Sequence, residues 1–66
     1  MSKEEIEHFY RITLIDIREG VSLEELEEIL KLYEAEENYY ACAGIHKAIQ
    51  EARHQTITNL KNDRKY

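Results

Sequence analysis

Apolar residues recur along residues 3–19 at the spacing of one helical face: Ile6, Phe9, Tyr10, Thr13, Leu14 and Ile17 keep the i, i+3, i+4, i+7 rhythm. Charged residues fill most of the intervening positions, so the pattern predicts an amphipathic helix over 3–19. The β-branched residues within 10–17 would also suit a strand. A solitary strand would leave its backbone unpaired, so helix is the better reading. Ser2 and Glu5 stand at capping-box spacing, which places the helix start near Lys3.

Gly20 is placed to supply the left-handed residue that closes a helix. Ser22 and Glu25 form a second capping box, and Val21 can staple onto Leu26, so a sharp joint is predicted at 20–22. The next stripe reads Leu23, Leu26, Ile29, Leu30 and Tyr33, and a third reads Asn38, Ala41, Cys42, Ile45, Ala48, Ile49, Ala52, Thr56 and Leu60. At ~100° per residue the third stripe is rotated by roughly 140° from the second. One straight helix from Leu23 onward could not bury both stripes against one surface, so a break is predicted within 34–38. The expected architecture is all-α, a small helical bundle of two to three helices with an antiparallel helical hairpin. Its helices run over 3–19, 22–35 and 37–58. Residues 1–58 form the single domain, and 59–66 lose the apolar pattern and read as a basic, frayed C-terminal tail.

Composition narrows the class. The chain has 66 residues, two glycines, no proline and one cysteine, a balance that favours helix. A core of this size rarely supplies more than ~3–5 kcal/mol. Cys42 has no second cysteine to pair with, and a reducing, cytoplasmic setting is the expectation. The N-terminal residues are acidic and polar rather than signal-like. No window approaches the ~18 consecutive apolar residues that a membrane span needs. A soluble protein without a membrane role is expected.

Candidate chemistry is sparse. His8, His46 and His54 do not have the spacing that closes a zinc site, and no cofactor motif is present. Cys42 and His46 lie one helical turn apart, yet Cys42 sits on the apolar stripe, where cysteine behaves as a small hydrophobe. An acid/base pair of glutamates would need a desolvated cleft that a bundle this small has little room for. An enzyme is therefore not expected. Residues 19–26 superficially resemble the joint of a helix-turn-helix DNA-binding unit. The following helix would offer Glu24, Glu25, Glu27 and Glu28 to phosphates, and Asp16 takes the place of a small residue before the turn. Direct nucleic-acid binding is disfavoured.

Over residues 23–49, Leu26, Tyr39, Cys42, Ala43, Ile45 and Ile49 match the apolar half of a known pattern. On these positions the stretch resembles the UVR-type helical hairpin of nucleotide-excision-repair proteins. Tyr40 replaces that family's acidic residue after the aromatic, and His46 and Lys47 replace its Arg-Asp pair. The resemblance implies an antiparallel hairpin with an interaction role.

Charge gives the sharpest functional expectation. Residues 1–38 carry twelve acidic against four basic side chains, net −8, and residues 39–66 carry five basic against two acidic, net +3. The expected partner-binding residues are Glu24, Glu25, Glu27, Glu28, Glu34, Glu36 and Glu37, with Tyr39, Tyr40 and Lys47 off the core seam. Ile12 and Ile15 point away from the main stripe of the first helix and are the expected self-association residues. The function expected is a non-enzymatic protein-binding module. Its sharpest form is a small acidic inhibitor or adaptor, of the kind phages and mobile elements encode, engaging a basic surface of a nucleic-acid-handling protein. A homo-oligomeric structural subunit, as simple as a homodimer, is the alternative.

Overall fold

A computed structural model describes the backbone of residues 2–63 and the side chains of residues 2–54. Three helices follow in order: α1 (Ser2–Arg18), α2 (Leu23–Ala35) and α3 (Tyr39–Asp63). Ser2, expected as a cap, is the first helical residue of α1. At the other end α3 passes the expected limit at residue 58 and is helical to Asp63. The last part of the expected tail, 64–66, lies outside the described residues, as do the side chains of Thr56 and Leu60.

Both interhelical turns close by the same hydrogen-bond scheme. At the first, the Gly20 N–H donates to the Ile17 carbonyl at 3.1 Å and the Val21 N–H to the Asp16 carbonyl at 3.0 Å. This pairing is the Schellman motif, which satisfies carbonyls that the last helical turn would leave open. Gly20 sits at φ +99°, where the absence of a Cβ removes the steric penalty. Ser22 then caps α2, its Oγ accepting from the Glu25 N–H at 3.1 Å. At the second turn the Glu37 N–H donates to the Glu34 carbonyl and the Asn38 N–H to the Tyr33 carbonyl, each at 3.0 Å. Here the left-handed position is held by Glu37 at φ +58° rather than by glycine. Asn38, expected on the third apolar stripe, instead caps α3: its Oδ1 accepts from the Ala41 N–H at 3.2 Å. The break predicted within 34–38 is thus built by a turn and a cap in direct succession.

The third helix is the spine, and α1 and α2 each pack against it. On the α2 side the core is made of large side chains. Leu26, Ile45 and Ile49 are buried together, with Ile17, Val21, Leu23, Leu30 and Tyr33 packed around them. On the α1 side the contact is made by small residues. Ala41 and Ala48 are fully buried, and a Cβ placed on Gly44 would lie 2.5 Å from the Ile6 carbonyl oxygen and 2.8 Å from the Tyr10 amide nitrogen. The backbones of α1 and α3 therefore approach too closely for a side chain at position 44, where glycine's hydrogen leaves room. Thr13, the buried polar residue of α1, satisfies its hydroxyl by donating to the Phe9 carbonyl at 2.7 Å. The expected stripe of α1 faces inward as a set, from Ile6 through Ile17.

A polar belt seals the outer edge of the α1–α3 seam. The Tyr10 hydroxyl donates to Glu51 at 2.5 Å, and Lys47 Nζ lies 4.5 Å from the Tyr10 ring centroid and 3.9 Å from Glu7. The Glu51 hydrogen bond, partial burial and the negative charge of Glu51 and Glu7 all raise the Tyr10 pKa above the ordinary tyrosine value. On the other seam, Arg53 pairs with Glu27 of α2. No helix among the described residues is long and apolar enough to cross a membrane.

Candidate protein-binding surface

The glutamates of α2 do not form one continuous row. Helical spacing places Glu24, Glu27, Glu28 and Glu34 along one flank, where with Lys31 and Leu30 they line a shallow hollow. Glu27 turns toward α3 and is engaged by Arg53. Glu34 stands beside Cys42, and a second shallow depression there is lined by Leu30, Glu34, Tyr39, Cys42, Ala43 and His46. Glu25 and Glu36 lie on the opposite flank, toward α1. Glu37 is committed to the left-handed turn. Among the described residues, Glu24, Glu28 and Glu36 are exposed and meet no basic side chain at ion-pair distance.

The other expected contact residues are separated by α3. Tyr39 is 69 % exposed on the outer side near Glu34. Helical phase puts Tyr40 on the α1 side together with Lys47, which is already engaged by Glu7 and Tyr10. Burial raises the Cys42 thiol above its ordinary pKa, and the nearby Glu34 carboxylate raises it further. That environment opposes thiolate formation. His46 is exposed and its ring nitrogen lies 3.5 Å from the Gln50 side-chain nitrogen. Among the described residues no group of three or more His, Cys, Asp or Glu side chains is placed to hold a metal ion.

A feature absent from the expected residue set lies between α1 and α2. Because both helices lean on α3 rather than on each other, an apolar groove opens between them. One wall is Phe9, Ile12, Thr13 and Asp16 of α1; the other is Leu26, Ile29 and Tyr33 of α2; Ile45 of α3 forms the floor. Phe9 and Tyr33 bridge the walls edge to face, with ring centroids 5.5 Å apart. Ile29, expected in the core stripe, lies at the rim and is 37 % exposed, and Ile12 faces it from α1 at 41 %. Ile15 and Leu32 continue the apolar surface outward, Leu32 being 67 % exposed. Leu32 sits off the α2 stripe, and that surplus was the sequence signal available for it.

Comparison with protein families, with curated proteins and with solved structures yields no match for this chain.

Proposed function

We propose that this chain is a non-enzymatic protein-binding module that engages a basic surface on another protein. The observation that carries this reading is the acid surplus of α2 and its C-terminal cap: Glu24, Glu28 and Glu36 are exposed without a basic partner among the described residues. Carboxylates in those positions are satisfied by water in the isolated chain and gain most from an approaching cationic surface. A nucleic-acid-handling protein is a natural owner of such a surface, since carboxylates at helical spacing imitate the sign of a phosphate row. An inhibitor or adaptor role follows from occupying that surface. The raised thiol pKa of Cys42 supports a packing rather than a nucleophilic role for that residue.

The test is affinity capture followed by measurement of the recovered pair as Glu24, Glu25, Glu27 and Glu28 are changed together to Gln. Binding should weaken, and the wild-type complex should lose affinity as salt is raised. A complex indifferent to both changes would remove the electrostatic mechanism. The half-exposed Ile12 and Ile15 favour a second reading, a homo-oligomeric structural subunit. Light scattering decides it, since a strict monomer at high concentration excludes that reading.

A further inference from the structure

The groove between α1 and α2 lies on the flank of α2 that carries Glu25 and Glu36, away from the outer hollow of Glu24 and Glu28, and the inference that follows rests on the charge-based reading extended to that flank. We infer that the groove seats a basic amphipathic helix of the partner protein. Apolar anchors of that helix lie between Ile12 and Ile29, and its lysines or arginines meet the carboxylates on the two rims.

Apart from Thr13 and Asp16 the lining is apolar or aromatic and is already buried at Leu26 and Ile45, while the rim isoleucines keep exposed surface that the fold does not cover. The groove is bounded by two helices and presents no sheet edge, so a strand has nothing to pair with. A helix with anchors at i, i+3 or i+4, and i+7 matches such a trough. Charge then selects the sign. Successive residues advance ~100°, which places Glu5, Asp16 and Glu19 beside Ile12 on the α1 rim and Glu25 beside Ile29 on the α2 rim. Of these, Asp16 lines the groove directly. Lys3, Arg11 and Arg18 fall on the other flank of α1, and Lys31 lines the separate outer hollow with Glu24 and Glu28. His8 shares the Ile12 flank and is, among the described residues of α1, the one basic-type side chain there. A second copy of this chain would set acidic rim against acidic rim, and like charges across an interface are costly. A cationic helix is the occupant that both the shape and the sign favour.

The probe is a labelled model peptide of about 18 residues, long enough to form a helix on the surface, with leucines at helical spacing and lysines elsewhere. Two controls are a scrambled peptide of identical composition and an amphipathic peptide with glutamate in place of lysine. Fluorescence anisotropy should show the basic amphipathic peptide binding at least roughly tenfold tighter than either control. The double variant Ile12→Ser/Ile29→Ser should lose about tenfold in affinity while keeping its helical circular dichroism. Equal binding of the scrambled peptide, or insensitivity to the isoleucine changes, overturns the groove. If binding then still falls in the Gln variant of Glu24, Glu25, Glu27 and Glu28, the charge-based reading stands without it. Loss of both sensitivities removes both. A dimer in light scattering that Ile12→Ser/Ile29→Ser dissolves would show that a second copy holds the groove, and would also overturn the inference.

Discussion

The two seams of α3 are made in opposite ways. Toward α2 it offers Ile45 and Ile49, which meet Leu26 and are held by bulk. Toward α1 it offers Ala41, Gly44 and Ala48, and is held by backbone proximity. The first seam is limited by how much apolar surface it can bury, the second by how little side chain it can tolerate. A short chain gains from the combination. Close approach of α1 lets many atoms of two backbones touch without a large side chain, while the sparse large residues are concentrated where α2 needs them. The same division explains the groove, since helices fastened to a common spine need not close against each other.

The comparison is tested most forcefully by removing bulk from one seam and adding it to the other. Leu26→Ala should cost about 3 kcal/mol, the usual price of a buried leucine, and leave little folded protein at ambient temperature. Urea unfolding or thermal melting measures it. Gly44→Ala should cost about 2 kcal/mol even though alanine is the better helix former, because the methyl would meet the Ile6 and Tyr10 backbone of α1. If Gly44→Ala were instead stabilising by the ~1 kcal/mol of helix propensity, the two seams would not differ as described.

The turns sharpen the contrast from outside the core. Both need a left-handed residue, and only the first has glycine. Glu37→Gly should stabilise by about 1 kcal/mol, raising the melting temperature by about 4–8 °C. Gly20→Ala should destabilise by a similar amount, with strain as the sole cause, since nothing lies within 4 Å of its added Cβ. A melting temperature that falls in Glu37→Gly would show that the carboxylate does something in the fold beyond occupying the turn.

Smaller effects belong to the polar belts. The Tyr10 hydroxyl has a folded pKa above its unfolded value, so its contribution is fully present below the unfolded value of 10.0 and is lost as pH rises through the folded value. Stability should decline in that alkaline window, and Tyr10→Phe should flatten the decline; a profile unchanged by Tyr10→Phe assigns the loss to other groups. Glu27→Gln should change stability by no more than about 0.5 kcal/mol, because the Arg53 pair is largely solvated.

Much of the fold was legible because it is written locally. Gly20, Val21, Ser22, Glu25 and Leu26 each mark the first joint by their own chemistry, and the rotation between apolar stripes required the second break. The mechanism of that break was less legible. Glu37 carries no mark of a left-handed residue, and Asn38 falls in register with the third apolar stripe, which masks its role as a cap. Gly44 was silent for a different reason: in a helix a glycine looks merely unfavourable until a neighbouring backbone is known to need the space. The candidate surface was legible in charge and illegible in shape. The glutamates of α2 can be counted from the sequence and sorted into two flanks by helical phase, but only the common lean on α3 shows that one flank borders a groove. The same lean moves Ile29 from core to rim.

The most direct measurement is equilibrium unfolding of the Ile12→Ser/Ile29→Ser variant beside Leu26→Ala. If the α1–α2 groove is an open surface, the double variant should lose about 2 kcal/mol spread over two partly exposed positions, less than Leu26→Ala loses at one. A loss as large as that of Leu26→Ala would place both isoleucines in a closed core and contradict the open groove.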